Sequence, residues 1–349
     1  MKIVTVTDAW TPQVNGVVRT IEATNRELER AGHRTAVLAP DRFLTVPCPG
    51  YDGIRLAVAP RLRLGRMLAA ELTGGDAVAI HVATEGPLGR AAARWCRRRG
   101  VPFTTAYHTR FPQYLQAMYR IPEAWTYAAM RRFHNQAAVV MAPTPTVAAE
   151  LRRAGVGNVA LWTRGVDTDV FRPSPPWPLQ LPKPVFLYVG RVSVEKNIAD
   201  FLVADLPGSK VVAGEGPALA TLKRRFPEVN FIGVLAQTEL ARLYSAADVF
   251  VFPSRTDTFG LVLLEALACG TPVAAYPVQG PLDVVGGTGV GILHQDLRMA
   301  ALAALKIERQ RCRDFALTRC WSAATHEFVS LQRPARPSPG GALAVSPGA

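Results

Sequence analysis

The chain has 349 residues, 49% of them apolar, with 28 glycines and 28 prolines; that is too apolar for a disordered chain and long enough for two packed domains. Forty Lys and Arg against 27 Asp and Glu give +13, and the first 175 residues, with 23 basic and 13 acidic side chains, carry +10 of it. The five cysteines (Cys48, Cys96, Cys269, Cys312, Cys320) are odd in number and include no C-x-x-C pair, which excludes a disulfide framework and reads as reduced, mostly buried thiols.

From the N-terminus, short β-branched runs alternate with amphipathic stretches. Strands are expected at 3–6, 35–39, 77–81, 103–107 and 139–142, with helices near 17–31, 88–99 and 147–154 between them. That rhythm argues for a parallel sheet with crossover helices. The start, Met1-Lys2 followed by a short apolar run stopped at Asp8, lacks the pattern of a signal peptide, and no apolar run is long enough to span a bilayer. The expected location is therefore cytoplasmic, with any membrane contact peripheral.

Six prolines between Pro173 and Pro184 break the rhythm and predict a stiff linker. It then restarts, with strands expected at 185–189, 210–213, 230–232, 249–252 and 272–275, helices near 218–225, 238–246 and 261–268, and a last helical stretch over 310–331. The division read from this is 1–170, a linker at 171–184, a second α/β domain at 185–315, a C-terminal helix at 316–333 crossing back to the first domain, and a Pro/Gly/Ser/Ala tail at 334–349 that cannot bury a core.

Two segments could carry chemistry. The strand ending at Val189 runs into Gly190-Arg191-Val192-Ser193-Val194-Glu195-Lys196-Asn197, so Arg191 and Lys196 fall at a strand's carboxyl end, where open α/β sheets bind ligands and where two cations suit a diphosphate. By itself this loop also admits a reading as a solvated basic turn. After Phe252 comes Ser254-Arg255-Thr256-Asp257-Thr258-Phe259-Gly260-Leu261, opening a helix that carries Glu265; unpaired amides at a helix start suit an anion, and a carboxylate beside them can accept sugar hydroxyls. Asp257 could equally be a helix N-terminal acid. Glu265 is flanked by Leu263, Leu264, Ala266 and Leu267, and a charge in so apolar a stretch needs a partner or a ligand.

These residues, with Gly214-Glu215-Gly216-Pro217 and the spacing Asp257-x7-Glu265, resemble the donor-binding domain of family 4 retaining glycosyltransferases. The first domain agrees in Trp10-Thr11-Pro12-Gln13-Val14-Asn15-Gly16-Val17, Tyr107-His108-Thr109 and Arg164-Gly165-Val166-Asp167. The resemblance covers about residues 1 to 331 and is greatest to members that transfer mannosyl, sulfoquinovosyl or glucuronosyl groups to lipids. It implies a GT-B fold, two Rossmann-like domains facing across a cleft. By the same resemblance Arg191 and Lys196 neutralise the leaving diphosphate, Glu265 holds the donor ribose, and Asp257 with the amides of Phe259, Gly260 and Leu261 holds the sugar. Gly16 lets the first loop approach the phosphates, Asn15 lies on the acceptor side, and His108 leans on the sugar near its reacting carbon. Many members have Glu where this chain has Asp257, one methylene shorter, which leaves the donor sugar open.

The function expected is transfer of a hexosyl group, mannosyl favoured, from a GDP- or UDP-sugar to a lipid or glycan hydroxyl, with no cofactor and no metal. A UDP-dependent glucosyl or glucuronosyl transferase and a non-catalytic nucleotide-binding protein are the alternatives. Asp167-Thr168-Asp169 spells the D-x-D metal signature of another glycosyltransferase fold but sits at the domain junction and reads as a turn, and no histidines pair at metal-ligand spacing. The cluster Gly286-Gly287-Thr288-Gly289-Val290-Gly291 lacks the dinucleotide fingerprint and also reads as a turn, which disfavours a dehydrogenase. Arg55, Arg61, Arg63 and Arg66 interleave with leucines, and Arg94, Arg97, Arg98 and Arg99 end another helix. That pattern suits an anionic membrane surface at the inner face. Nothing resembling a nucleic-acid-binding module accompanies it.

Overall fold

The computed structural model describes residues 1–13, 15–48, 51–58, 60–73, 76–108 and 120–335. Val14 and Thr109 of the motifs above and residues 336–349 of the expected tail lie outside the described residues. The chain forms two compact units, one of residues 1–142, 148–162 and 325 onward, the other of residues 143–147 and 163–324.

In the first unit six parallel strands, β1 (Lys2–Val6), β2 (Arg34–Leu38), β5 (Val78–Val82), β6 (Phe103–Ala106), β7 (Val139–Ala142) and β8 (Val159–Leu161), lie in the order β2-β1-β5-β6-β7-β8. An antiparallel hairpin, β3 (Thr45–Cys48) with β4 (Tyr51–Ala57), stands apart from this sheet. Strand order reverses between β1 and β5, the switch point at which such sheets open a crevice at their carboxyl ends. The crossover helices Gly16–Arg30 and Pro87–Arg98 bury Ile21 and Leu28, and Leu88 and Cys96, at helical spacing.

The second unit repeats the plan with β9 (Val185–Val189), β10 (Ser209–Ala213), β11 (Asn230–Gly233), β12 (Val249–Phe252), β13 (Val273–Ala275) and β14 (Gly291–Leu293), in the order β11-β10-β9-β12-β13-β14. This is the doubly wound dinucleotide-domain order, with the switch point between β9 and β12. Strand alternation explains why β9 reads as an unbroken apolar run. Val185, Leu187 and Val189 enter the core on one face, and Phe186 and Tyr188 the core on the other.

Two expectations change. The helical stretch at 310–331 is two helices, Arg309–Leu317 and Trp321–Leu331, because the chain between them pairs with residues 165–166: Val166 N–H donates to the Arg319 carbonyl at 2.9 Å, and Val166 bridges Cys320. Gly165 packs against the Cys320–Trp321 backbone with no room for a side chain. The segment 171–184 has no regular structure but is no free spacer. Phe171 is buried in the second core, Trp177, Leu179 and Leu181 pack against it, and Trp177 N–H donates to the Arg242 carbonyl at 3.0 Å. All five cysteines are free, and burial pushes the Cys96 thiol up to about 12.

Candidate active site

In the second unit, loops leave the carboxyl ends of β9, β10, β11 and β12, and backbone contacts lace the first three together. Gly214 N–H donates to Gly233 O at 2.7 Å, Val192 N–H to Glu215 O at 2.8 Å, and Ala218 N–H to Val192 O at 3.0 Å. Gly214 sits at φ +135° with its α-carbon against the Gly190 carbonyl, so a Cβ there would overlap backbone. The Gly-Glu-Gly-Pro sequence thus serves to bring the β10 loop onto the β9 loop.

The β9 loop is anchored from below and from the side. The Tyr188 hydroxyl, pushed well above its ordinary value by burial and by the charges of Asp257 and Glu195, stays protonated and donates to the Arg191 carbonyl at 2.9 Å. A short 3-10 turn, Val194–Lys196, ends in Asn197 at φ +54°, whose side chain donates to Asp200 at 2.6 Å and to the Pro253 carbonyl at 3.3 Å. These bonds tie the β9 loop to the β12 loop. Lys196 Nζ then lies 2.5 Å from Asp257 Oδ1. The two residues with separate roles in the sequence reading are therefore an ion pair at the switch point. Burial alone would push the Asp257 carboxyl up, and the Lys196 ammonium outweighs it, holding the carboxyl below its ordinary value.

Downstream, Gly260 at φ +82° turns the chain into the helix Leu261–Ala268. Gly280 lies against the same loop, where a Cβ would come within 2.9 Å of the Asp257 carbonyl and 3.2 Å of that of Phe259. The loop carrying Asp257 and Phe259 is thus closed down by a glycine that no sequence signal had marked. Glu265 is buried, as its apolar flanks demand, and the hydroxyl of buried Tyr244 donates to its Oε2 at 3.2 Å. Tyr244 belongs to an aromatic row with Phe171 and Phe250, which fixes its ring.

The remaining predicted residues lie in the first unit. Asn15 is the N-cap of the helix Gly16–Arg30: its Oδ1 accepts from Val17 and Val18 N–H at 3.0 and 3.1 Å, and its amide donates to Gln13 at 3.2 Å. Gly16 is the first helical residue. His108 follows β6, with its ring edge-on to buried Trp162, centroids 6.0 Å apart. Trp162 in turn packs on Phe328 of the last helix at 4.8 Å. Nothing in the local sequence of Trp162 marks it for this place.

Asp167 Oδ1 accepts from the amides of Asp169 and Val170 at 3.2 and 3.1 Å, the geometry of an Asx turn. Among the described residues no three His, Cys, Asp or Glu side chains are grouped to hold a metal, and no helix is long and apolar enough to cross a membrane.

Two doubly wound units, with a cation–carboxylate pair and a helix N-terminus at one switch point, define a glycosyltransferase of the GT-B fold. The chain belongs to glycosyltransferase family 4: the profile described as Glycosyltransferase Family 4 matches residues 14–170, and that described as Glycosyl transferases group 1 matches residues 173–309. It is 32% identical, over 94% of its own length and 95% of the relative's, to a GDP-mannose-dependent alpha-mannosyltransferase of Mycobacterium tuberculosis (strain CDC 1551 / Oshkosh). It is 28% identical to an alpha-monoglucosyldiacylglycerol synthase of Streptococcus pneumoniae (strain ATCC BAA-255 / R6), over 87% and 78% of the two chains. The sucrose-phosphate synthase structure from Thermosynechococcus elongatus superposes with a TM-score of 0.73 at 22% identity, covering 95% of this chain and 98% of that one.

Proposed function

We propose that the protein is a retaining, metal-independent hexosyltransferase that moves a mannosyl group from GDP-mannose to a hydroxyl of a lipid or glycan acceptor. The observation that carries this reading is the Lys196–Asp257 pair at the β9/β12 switch point, beside the N-terminus of the helix that bears Glu265. The name of the M. tuberculosis relative favours GDP-mannose over a UDP-sugar, and that of the S. pneumoniae relative favours a lipid acceptor.

In this reading Lys196 and Arg191 neutralise the diphosphate as it leaves, with the Phe259, Gly260 and Leu261 amides beside them. Cations and N–H groups fixed in advance stabilise charge that grows in the transition state without reorganising to do so. Glu265 accepts from the ribose hydroxyls, oriented by Tyr244. Asp257 accepts from the sugar while holding Lys196 toward the phosphates, and His108, set by Trp162, contacts the sugar beside C1. As the C1–O bond to the phosphate breaks, the acceptor oxygen bonds to C1 on the same face, and its proton passes to the leaving phosphate oxygen. Gly16 and Asn15 complete the first unit's share, through the close backbone approach a glycine permits and through the capped helix start.

An anionic membrane at the cytoplasmic face is the proposed docking partner. Leu44 and Leu62 are 82% and 81% exposed, and Val46 and Val58 about half exposed. Arg98, Arg61 and Arg97 lie close enough to Arg94 to lower its pKa. Apolar side chains amid clustered arginines suit a headgroup region.

Thermal unfolding with GDP, UDP, ADP and NAD tests the proposal. A ligand that binds only the folded state raises the midpoint by mass action. The expected shift is with GDP, followed by mannosyl transfer from GDP-mannose; no shift with any nucleotide at saturation overturns it, and a shift with UDP alone moves the assignment to a UDP-sugar.

A further inference from the structure

At the first unit's own switch point, β5 runs through Ala83 and Thr84 to Glu85, a residue no motif marked. Glu85 Oε1 accepts from His134 Nε2 at 3.0 Å, and His134 Nδ1 is 2.9 Å from the Thr105 hydroxyl on β6. Both ring nitrogens are engaged, Nε2 with the Glu85 carboxylate and Nδ1 with the Thr105 hydroxyl, so the ring is held from both sides. His134 is fully buried, its ring edge-on to Phe133 at 5.0 Å and to Tyr107 at 6.2 Å, whereas the Glu85 side chain keeps 15% of its surface exposed. A buried imidazole and a strand hydroxyl are an expensive way to fill a core. Here they fix one oxygen of a carboxylate that still reaches solvent at the carboxyl end of the sheet.

The companion group is Asp8, after β1. Its carboxylate accepts from the Thr84 hydroxyl and Leu88 N–H at 2.8 Å each and from Gly89 N–H at 3.3 Å, so its hydrogen-bonding capacity is used in closing the β1 and β5 loops together. Burial raises the Asp8 pKa, and the neighbouring Glu85 charge adds to the rise. Glu85 is the one that reaches solvent, whereas Asp8 is buried.

We propose that Glu85 is an acceptor-recognition residue, held in position by His134, that takes a hydrogen bond from a hydroxyl of an uncharged sugar or polyol group on the acceptor. A phosphate or carboxylate on that part of the acceptor is disfavoured by the Glu85 carboxylate. The inference rests on the glycosyltransferase reading and assigns its acceptor chemistry.

The test is an NMR titration of the full chain, with GDP present, against two sugar probes, methyl α-D-mannopyranoside and mannose 6-phosphate, with GDP affinity measured separately. The expected result is tighter binding of the neutral probe. Glu85→Gln, which keeps an acceptor for His134 but can turn its amide N–H2 to the crevice, should weaken that binding about tenfold, as loss of a hydrogen bond to a charged group does, with GDP affinity unchanged. His134→Gln should weaken it as well, and the double variant should be no weaker than Glu85→Gln alone, because His134 acts through Glu85. Absence of binding of either probe to the wild type, equal binding by Glu85→Gln, or preference for mannose 6-phosphate overturns the inference. Failure of every nucleotide to bind overturns the enzyme reading instead, and the sugar titration still decides this one.

Discussion

Lys196 Nζ sits 2.5 Å from Asp257 Oδ1, joining the loop after β9 to the loop after β12 at the point where the strand order reverses. The pair does two things. It keeps an ammonium aimed at the place where the topology binds ligands, and it ties two loops that sequence separates by 61 residues.

Replacing Asp257 by Asn tests both. Because the folded carboxyl lies below its ordinary value of 3.8, the stability it contributes is fully present above that value and is lost as pH falls through the folded value. Wild type should therefore lose an increment of stability on acidification from about pH 5 to pH 3 that Asp257→Asn lacks. At pH 7 the variant should be less stable by about 1 kcal/mol, and kcat/KM for donor should fall about 100-fold or more. Chemical denaturation across pH and steady-state kinetics check these.

Tyr244→Phe removes the hydroxyl 3.2 Å from Glu265 Oε2 and nothing of the aromatic row. Glu265 then loses an orienting donor in a buried site, so KM for the donor should rise about five- to tenfold with kcat little changed. A fall in kcat at unchanged KM would place Tyr244 elsewhere in the reaction.

Gly214→Ala puts a Cβ onto the Gly190 carbonyl at φ +135°, a conformation costly for any other residue. The expected loss is about 3 kcal/mol, read as a fall in the thermal midpoint of several degrees, with nucleotide binding weakened because the β9 loop must move.

The site proposed uses cations from Arg191 and Lys196 and no metal. Transfer should persist in EDTA at the rate seen without it; inactivation by chelator that Mn2+ reverses would reassign the charge on the diphosphate to a metal.

Leu44→Glu and Leu62→Glu change exposed side chains with little buried surface, so the fold should keep its midpoint. Co-sedimentation with vesicles containing anionic lipid should weaken, and Arg61→Glu should weaken it further at low salt, each charge being worth about 1 kcal/mol near the surface. Equal binding to neutral vesicles by all forms would count against docking on this face.

Much of this molecule was legible in one dimension. Strand 249–252 and helix 261–268 fall where their apolar patterns put them, because a fully buried parallel strand must be apolar on both faces and a helix start after a glycine leaves a clear mark. Lys196, Asp257 and Glu265 were likewise marked, as charges at strand ends or in apolar surroundings. What the sequence could not carry was pairing across distance. Local patterns report which face a residue buries, not which residue it meets, so the Lys196–Asp257 bond, the Tyr244 hydroxyl on Glu265, the Gly280 approach to Asp257 and the His134–Glu85 couple had no signal in their own neighbourhoods. The break between the last two helices has the same cause, since residues 165–166 decide it from more than 150 positions away. Composition and periodicity determined the two α/β units and the strand ends where chemistry would sit; only the order of strands in each sheet brought those ends together.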